Sequence, residues 1–326
     1  MILLSKEDIK RVVTMKEMIE AMKTAYKMTV DGTVQSPLRT VIDAEDGSFL
    51  FMPAYAPEME AAALKVVNIF PGNAANGLAT SPAQVMLIDG KTGYVIALLD
   101  GTYITAFRTG ASTGAAFDLL AKEHCRKGAM IGTGGQAAAQ LEAMLAARPL
   151  EEVRIYSRNA EKCQKFAAEM QEELASYGAK ILPAASSDEC IEDADLIITV
   201  TTSSEPVFDG TKVKPGATIS GVGNYQPHKH EMDPAVLPRA SKIICDFKDA
   251  ALSESGDLLI PMADGLISEA DILGSLGDVV NGTIPGREND EEIIVYKTVG
   301  VAAQDLVAAK IIYDKAEAAG IGVRWE

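Results

Sequence analysis

The sequence of 326 residues contains little cysteine, little histidine and a single tryptophan. Its four cysteines lie far apart, and no C-x-x-C pair or neighbouring histidine cluster gives them zinc-ligand spacing. They are Cys125, Cys163, Cys190 and Cys245. This pattern is typical of buried free thiols in a reducing compartment, and no metal site is expected.

Positive charge is also scarce, since 30 Lys and Arg against 46 Asp and Glu give a net charge of −16. Such a chain repels phosphate backbones and anionic lipid headgroups, so nucleic acid and membrane surfaces are not expected partners. A small anionic substrate stays possible only where local cations overcome the acidic surroundings.

Long apolar runs are missing as well. No stretch reaches the length of about 18 apolar residues that a membrane-spanning helix needs. After Met1, three apolar residues, Ile2–Leu4, precede the charged Lys6 and Glu7, and they are too few for the core of a secretory signal. We therefore expect a cytoplasmic protein.

The first third of the chain combines helical and alternating patterns. Thr14 to Glu17 forms a capping-box pattern before a helix predicted over about 15–31. Short β-rich runs separated by Gly, Pro, Asn and Asp then predict a mostly antiparallel sheet backed by helices. These runs are Arg39–Ile42, Phe49–Met52, Leu64–Phe70, Gln84–Ile88 and Tyr94–Leu99. A helix rich in small residues is predicted over 106–121.

After Lys127 the pattern alternates between strands and helices, which predicts a parallel, doubly wound α/β sheet. The elements are predicted at 128–131, 136–147, 153–157, 160–176, 179–184, 195–201, 217–222 and 242–246. The Gly-rich stretch from Gly274 to Gly286 is interpreted as loop. A last helix over about 300–319 is expected to pack back on the first part of the chain.

A glycine turn follows the strand at 128–131. Gly132, Gly134 and Ala137 form a G-x-G-x-x-A pattern between an apolar strand and an Ala-rich helix. In a Rossmann fold, the first glycine permits the tight turn and the second lets the backbone approach a pyrophosphate at the helix N-terminus. The pattern indicates dinucleotide binding, although a glycine turn in another α/β protein would look the same.

The next strand ends in Ser157, Arg158 and Asn159, where an NAD site usually has an acidic residue for the ribose 2′-hydroxyl. A small hydroxyl followed by a guanidinium suits a 2′-phosphate, so we expect NADP(H) to be preferred over NAD(H). The alternative is an ordinary loop with a solvated Arg158. Small residues at 199–203 and 220–223 follow later strands and are expected to border the nicotinamide half.

Three cations interrupt apolar segments of the first domain: Arg39, Lys65 and Arg108. A charge on an inward face is costly unless it is paired, so each either faces solvent or meets an anionic partner. If they converge, Arg39 and Arg108 would hold a substrate carboxylate and Lys65 would act at the substrate nitrogen. A desolvated lysine flanked by arginines should then have a lowered pKa, which suits proton exchange near neutral pH.

Almost the whole chain resembles the ornithine cyclodeaminase/μ-crystallin family. The segments that carry the resemblance are Leu64–Asn73, Gly77–Thr80, Leu98–Gly101, Arg108–Ser112, Ile131–Ala139, Gly286–Arg287 and Gly300–Asp305. The resemblance implies a Rossmann domain, residues 119–297, inserted in a second α/β domain. That second domain, residues 1–118 plus about 298–326, would bind substrate and form a homodimer.

The resemblance also implies site residues. Substrate-carboxylate contacts fall on Arg39, Lys65 and Arg108. Expected cofactor contacts are Thr80, Arg108, Gly132, Gly134, Gly135, Gln136, Ala137, Ser157, Arg158, Asn159, Thr201, Val222, Lys229 and Thr298.

One position departs from the cyclodeaminase pattern. Tyr225 stands where true cyclodeaminases carry an aspartate assigned to proton transfer and cyclisation, and a phenol near its normal pKa is a poor base. The nearby His228 and His230 have no acidic or cysteine partner at metal-ligand spacing, and a loop beside the cofactor explains them equally well.

The leading hypothesis is an NAD(P)(H)-dependent oxidoreductase that interconverts 2-imino and 2-amino acids, with Lys65 as the catalytic residue. It would be of the alanine dehydrogenase type or of the ketimine or pyrroline-carboxylate reductase type. The alternatives are an ornithine cyclodeaminase with catalytic NAD and a non-catalytic NADPH-dependent ligand-binding protein.

Overall fold

The computed structural model describes residues 1–325, which contain fifteen strands and ten α-helices. The strands are β1 (Ile2–Leu4), β2 (Thr40–Ala44), β3 (Gly47–Ala56), β4 (Ala61–Ile69), β5 (Ala83–Asp89), β6 (Val95–Asp100), β7 (Lys127–Ile131), β8 (Glu152–Tyr156), β9 (Lys180–Pro183), β10 (Leu196–Thr199), β11 (Thr218–Gly221), β12 (Lys242–Cys245), β13 (Ile272–Ser275), β14 (Ile294–Lys297) and β15 (Val323–Arg324). The helices are α1 (Lys6–Val12), α2 (Met15–Val30), α3 (Gly101–Leu120), α4 (Ala137–Ala147), α5 (Ala160–Glu173), α6 (Ser187–Ile191), α7 (Lys248–Glu254), α8 (Gly256–Ala263), α9 (Leu276–Val280) and α10 (Ala302–Ala319).

The chain divides into two compact units. The first comprises Met1–Thr109 together with the chain from Gly300 onward, and the second is Gly110–Val299. The boundary on the N-terminal side therefore falls within α3, at Thr109 rather than at the predicted residue 118. Each unit contains one sheet, and the two sheets differ in strand direction as the sequence predicted.

The first unit is built on a seven-stranded sheet in the order β15-β1-β6-β5-β4-β3-β2. All neighbouring strands are antiparallel except β1 and β6. The predicted helix α2 starts at the Thr14–Glu17 capping box. It packs against α10, which in turn packs against β3, β4 and β5, and this confirms that the last helix returns to the first unit.

The opposite face of this sheet contains a row of apolar side chains that are only partly covered. Period-two alternation places Leu3, Leu64, Met86 and Leu98 on this face, while their neighbours along each strand are buried. The strand register makes these four side chains one continuous row, because Leu64 pairs with Met86, Met86 with Leu98 and Leu98 with Leu3. Each is only partly covered.

The second unit has an eight-stranded sheet in the order β13-β12-β14-β11-β10-β7-β8-β9, and every pair is parallel. Its strands alternate with helices along the chain, as in a doubly wound Rossmann sheet. Buried residues of β7, β8 and β10 pack against α4 and α5 to form one part of the core. The predicted fold class is thus confirmed in both units.

The interpretation of 274–286 as loop is wrong for its first half. Ile272–Ser275 forms the edge strand β13, and Ser275 then starts α9 through a capping box with Asp278. The sequence also gave no sign of β14, although this strand lies in the middle of the sheet. Both strands have only four residues, which is too short for a periodicity that would distinguish a strand from a loop.

All four cysteines are buried and free of disulfides. Within residues 1–325 no helix is long and apolar enough to span a bilayer.

Candidate active site

Lys65 lies on the inward face of β4. The strand alternates between buried and partly exposed positions, and Ala63, Lys65 and Val67 share the buried side. Only 1% of the lysine is exposed. Its Nζ lies 2.7 Å from Oδ2 of Asp305, which is also 1% exposed and belongs to the first turns of α10. The possibility that Lys65 is a solvated charge is therefore excluded.

Arg108, on α3, binds the other oxygen of the same Asp305 carboxylate. Its Nε donates to Asp305 Oδ1 at 3.0 Å, and its Nη1 donates to Gln304 Oε1 at 2.7 Å. Gln304 is fixed in turn, because its amide nitrogen donates to the hydroxyl of Tyr26 at 2.7 Å. The guanidinium is 5% exposed, so Arg108 is also an inward charge with a partner.

Arg39 lies just before β2 and is partly exposed. Its Nη2 donates to the carbonyl oxygen of Gly300 at 2.7 Å. Gly300 has a φ of +78°, and a Cβ there would come within 2.7 Å of Arg108 Nη1, so the close approach of the two groups requires glycine. The three predicted cations are thus brought into one cluster within the first unit.

This cluster changes the acidity of Lys65. Burial, followed by the charge of Arg108, lowers the pKa of Lys65 from 10.5 to about 7, and Asp305 opposes both effects. Arg39 adds a smaller lowering contribution. The predicted depression of the Lys65 pKa is confirmed, and an amine with this pKa can exchange a proton at neutral pH.

Sequence reasoning did not identify Asp305 and Gln304 as part of this cluster. An acidic residue in the first turn of a helix is common, because it interacts well with the helix dipole. The sequence signal was the Gly300–Asp305 segment that carries the family resemblance, yet no role was drawn from it. The contacts show that Asp305 is the anion shared by Lys65 and Arg108.

The glycine turn of the second unit lies between β7 and α4. Gly132 has a φ of +121°, and a Cβ there would lie 2.4 Å from the carbonyl oxygen of Val200. By contrast, a Cβ on Gly134 or Gly135 would meet no atom within 4 Å. The turn therefore leaves open backbone at the N-terminus of an 11-residue helix, which is a cradle for a pyrophosphate. Ala137 is fully buried at the first position of that helix.

A nicotinamide dinucleotide fits this turn, with Gly132, Gly134, Gly135 and Gln136 as the segment that would hold its phosphates. Gln136 occupies the position just before α4. The dinucleotide supplies a hydride donor or acceptor when it is bound.

The turn after β8 contains Ser157, Arg158 and Asn159. The side chain of Asn159 caps α5 by accepting a hydrogen bond from Lys162 N at 2.9 Å. Ser157 is partly exposed and Arg158 is exposed. Asn159 is thus committed to the helix, which leaves Ser157 and Arg158 as the side chains that can meet a ribose substituent.

Four other expected cofactor residues follow the carboxyl ends of strands in the second unit: Thr201 after β10, Val222 after β11, Thr298 after β14, and Lys229 in the loop beyond Val222. The Thr298 hydroxyl donates to Asp246 at 2.7 Å. Thr80, in contrast, belongs to the first unit, where it lies exposed between β4 and β5.

The loop after β11 also contains Tyr225, which is half-buried, and the two histidines. His228 is exposed and His230 is half-buried. Among residues 1–325 no three His, Cys, Asp or Glu side chains are grouped so that they could hold a metal ion.

Comparison with known proteins places the chain. Residues 1–320 match the model of the ornithine cyclodeaminase/mu-crystallin family. The chain is 38% identical over 329 residues to a Δ1-pyrroline-2-carboxylate reductase of Bacillus cereus, with 100% of both chains covered. It is similar to the structure of Thermococcus litoralis Δ1-pyrroline-2-carboxylate reductase in complex with NADH and L-proline, with a TM-score of 0.95, 38% identity and 100% of both chains covered.

A second similar structure is an archaeal alanine dehydrogenase dimer with bound NAD. The TM-score is 0.91 and the identity 31%, and the match covers 100% of this chain and 98% of the other. The family match, the two similar structures and the shared fold lead to one assignment. The chain belongs to the ornithine cyclodeaminase/mu-crystallin family.

Proposed function

We propose that this chain is an NAD(P)H-dependent reductase of 2-imino acids, with a cyclic ketimine such as Δ1-pyrroline-2-carboxylate as the substrate class. The names of its similar proteins support this, since two are Δ1-pyrroline-2-carboxylate reductases and one is an alanine dehydrogenase. The observation that carries the proposal is the buried cluster in which Lys65, with a pKa of about 7, lies among two arginines and one carboxylate.

In this proposal Arg39 and Arg108 bind the substrate carboxylate through charge-assisted hydrogen bonds. Asp305 balances only part of the positive charge of the cluster, so an anionic substrate completes the balance. The same contacts orient the imine relative to Lys65, which lowers the entropic part of the barrier.

The proton transfer falls to Lys65. The ammonium at Nζ donates a proton to the imine nitrogen while C2 receives the hydride, so that the C=N bond becomes a C–N single bond in the amino acid product. Lys65 is left as a neutral amine, which a pKa of about 7 permits, and it regains its proton before the next turnover. In the oxidative direction the neutral amine accepts the proton.

For the cofactor we propose a preference for NADP(H). The turn at 157–159 lacks an acidic side chain, and the exposed Arg158 can pair with a 2′-phosphate by two parallel hydrogen bonds. Two similar structures contain NADH and NAD, so the support for this preference comes from the turn of this chain alone.

We further propose that the protein is a homodimer that uses the partly exposed apolar face of the first sheet. Leu3, Leu64, Met86 and Leu98 form a continuous apolar row there, and exposed contiguous apolar surface marks interaction sites. The similar archaeal alanine dehydrogenase is a dimer.

A cytoplasmic location is part of the proposal. Its support is the set of four buried thiols without disulfides, the state expected in a reducing compartment.

Tyr225 argues against the cyclodeaminase alternative. Release of ammonia by attack of a side-chain amine needs a base at that position, and a phenol is a poor one near neutral pH. The alanine dehydrogenase type, with an open-chain imine from pyruvate and ammonia, uses the same cluster and is supported by the similar structure.

The test is a substrate panel followed at 340 nm with NADPH and with NADH. Cyclic 2-imino acids should be reduced fastest. Pyruvate with ammonia tests the alanine dehydrogenase type, and ornithine tests the cyclodeaminase by release of proline without net absorbance change. If no imine oxidises the nicotinamide, the proposal is wrong, and the result is the one that a non-catalytic binding protein would give.

Lys65→Ala assigns the proton transfer. We expect a loss of about 10²–10⁴ in kcat, the usual contribution of a general acid, with dinucleotide affinity unchanged. The control is Lys91→Ala, because Lys91 belongs to the same unit and is exposed, where it pairs with Glu60. Full turnover in Lys65→Ala would remove Lys65 from the mechanism.

A further inference from the structure

Glu231 is a completely buried carboxylate in the second unit. It accepts three short hydrogen bonds, from Thr201 N at 2.7 Å, from Thr201 Oγ1 at 2.7 Å and from Gly223 N at 2.6 Å. The hydroxyl of Thr201 accepts from Ser203 N, so it is the donor toward Glu231. One side chain therefore satisfies the backbone of two separate loops.

Those two loops follow neighbouring strands. Thr201 lies after β10 and Gly223 after β11, and a Cβ on Gly223 would come within 2.7 Å of a Glu231 oxygen and 2.1 Å of Thr201 O. A second contact ties the loops together, since Asn224 Nδ2 donates to Ser203 O at 2.7 Å. The shape of the two loops is thus fixed by Glu231 and Asn224.

Two further buried charges hold Glu231 in place. Oδ1 of Asp257 accepts hydrogen bonds from the backbone N–H groups of Glu231 and Met232, at 2.8 and 2.9 Å. Its Oδ2 lies 2.7 Å from Nζ of Lys297, and both side chains are 0% exposed. Lys297 is the last residue of β14, so the network reaches a third strand end.

A network of this kind is costly to bury. Burial, and then the nearby Asp257, raise the pKa of Glu231, while Lys297 and the donors of Thr201 oppose that shift. Apolar residues of similar volume commonly stabilise a fold as well as a buried ion network does. What the three charged groups add is a defined geometry for the loops.

The position of these loops in the sheet indicates which part of a dinucleotide they would contact. β14, β11 and β10 are neighbours in the sheet, on one side of β7, and β8 lies on the other side. Dinucleotides bind across the carboxyl ends of such strands, with the pyrophosphate at the turn after the first strand and the adenosine ribose at the end of the second. The loops after β10, β11 and β14 would therefore face the nicotinamide half of a bound dinucleotide.

We propose that Glu231 is a positioning residue, supported by Asp257 and Lys297, that holds the loops after β10 and β11 in the shape that receives the nicotinamide–ribose half of the dinucleotide. The inference rests on the proposed function for the dinucleotide itself. It assigns to Glu231 no contact with the reacting atoms.

The test uses Glu231→Gln, which keeps the size of the side chain but replaces one acceptor oxygen by a donor. At least one of the three hydrogen bonds is then replaced by two opposed donors. Affinities are measured for NADPH and NADH by nicotinamide fluorescence, and for 2′,5′-ADP and ADP by calorimetry. We expect NADPH or NADH to bind about tenfold more weakly, since hydrogen bonds to charged groups are involved. The two fragments lack the nicotinamide half and should bind within about twofold of wild type.

The matched control is Glu292→Gln. Glu292 is also a buried glutamate that positions a loop, with Lys242 Nζ at 2.8 Å and Glu288 N at 2.8 Å. It precedes β14 and therefore lies at the amino end of this strand, away from the carboxyl ends that the loops of Glu231 follow. Its substitution should lower the Tm and leave dinucleotide affinity unchanged. A general loss of stability would thus affect both variants, while weaker binding of the nicotinamide half should be seen only in Glu231→Gln.

Asn224→Ala is the second variant, for the case that Glu231→Gln does not fold. It removes one hydrogen bond between the same loops, and we expect a smaller loss of NADPH affinity with unchanged fragment affinity. Wild-type NADPH affinity in both variants, or a parallel loss of fragment affinity, overturns the inference. If the wild-type protein binds neither dinucleotide nor fragment, the proposed function fails and the inference fails with it.

Discussion

Lys65 Nζ and Asp305 Oδ2 form an ion pair of 2.7 Å in which each side chain is 1% exposed. The pKa of Lys65 results from opposing effects, because burial and Arg108 favour the neutral amine while Asp305 favours the ammonium. The outcome is a lysine that titrates near neutral pH in the free enzyme.

The rate of imine reduction should therefore depend on pH with a defined sign. The ammonium of Lys65 is present below its pKa of about 7 and is lost above it, so kcat/KM for reduction should fall as the pH rises through about 7. For oxidation of the amino acid the neutral amine is needed, and kcat/KM should rise over the same range. Initial rates in both directions, measured from well below to well above neutral pH, check this, and parallel profiles would contradict it.

Asp305→Asn should move that profile toward lower pH. Asp305 is the group that raises the pKa of Lys65, and removal of an opposite charge at this distance is expected to lower the pKa by at least about one unit. This shift distinguishes an ionisation of the enzyme from an ionisation of the substrate, because the pKa of the imine is the same whichever enzyme variant is used. A profile that stays in place would show that Lys65 does not control it.

Substitution by alanine should affect two glycines of the phosphate turn differently: one should lose stability and the other affinity for NADPH. Gly132→Ala forces a side chain into φ +121° and places Cβ 2.4 Å from Val200 O, so we expect a loss of about 2 kcal/mol or more in the free energy of unfolding. Gly134→Ala meets no atom within 4 Å and should keep the wild-type Tm. Its Cβ would occupy the backbone surface that a pyrophosphate approaches, so NADPH affinity should fall. Thermal unfolding and fluorescence titration of both variants decide the question.

Arg158 should decide between the two cofactors. Arg158→Ala removes the guanidinium proposed to meet the 2′-phosphate, so KM for NADPH should rise about tenfold, while KM for NADH should change little. Ser157→Asp adds an acceptor for a free 2′-hydroxyl and should favour NADH further. The ratio of kcat/KM for the two cofactors is the measurement. An equal effect on both cofactors would mean that the turn does not read the 2′ position.

Met86→Glu should separate the proposed dimer. Met86 lies in the middle of the apolar row on the partly exposed face of the first sheet, and a carboxylate buried there without a partner would disfavour association. Sedimentation velocity should show a monomer. Leu182→Glu is the control, because Leu182 is a strand residue of the second unit that is 42% exposed. A dimer that persists in Met86→Glu places the interface elsewhere.

Much of the fold could be predicted from the sequence because its signals are local. The Thr14–Glu17 box set the start of α2, and the strand before Gly132 together with the Ala-rich helix after it established the Rossmann turn. β13 and β14 were missed for a physical reason. β14 is buried at all four positions and needs no alternation of polar and apolar residues, and β13 is an edge strand of only four residues, too short for a clear period.

The residues of the candidate site also divide into those with a local sequence signal and those without one. Lys65 and Arg108 were identifiable because a charge within an apolar segment demands a partner. Asp305 and Glu231 were not, since an acidic residue near a helix start or in a loop is ordinary until its neighbours are known. Their roles depend on contacts across long sequence separations, such as the 197 residues between Arg108 and Asp305.

That separation has a consequence for the order in which the chain is made. The second unit is one continuous segment, Gly110–Val299, and all of it is synthesised before Asp305. Lys65 and Arg108 are synthesised earlier, and they have no carboxylate partner until Asp305 of α10 has been added. N-terminal segments usually fold first during synthesis, but here the unit that contains the N-terminus reaches its charge balance last. A nascent chain stalled before residue 300 would contain the whole dinucleotide-binding segment and two cations without their carboxylate.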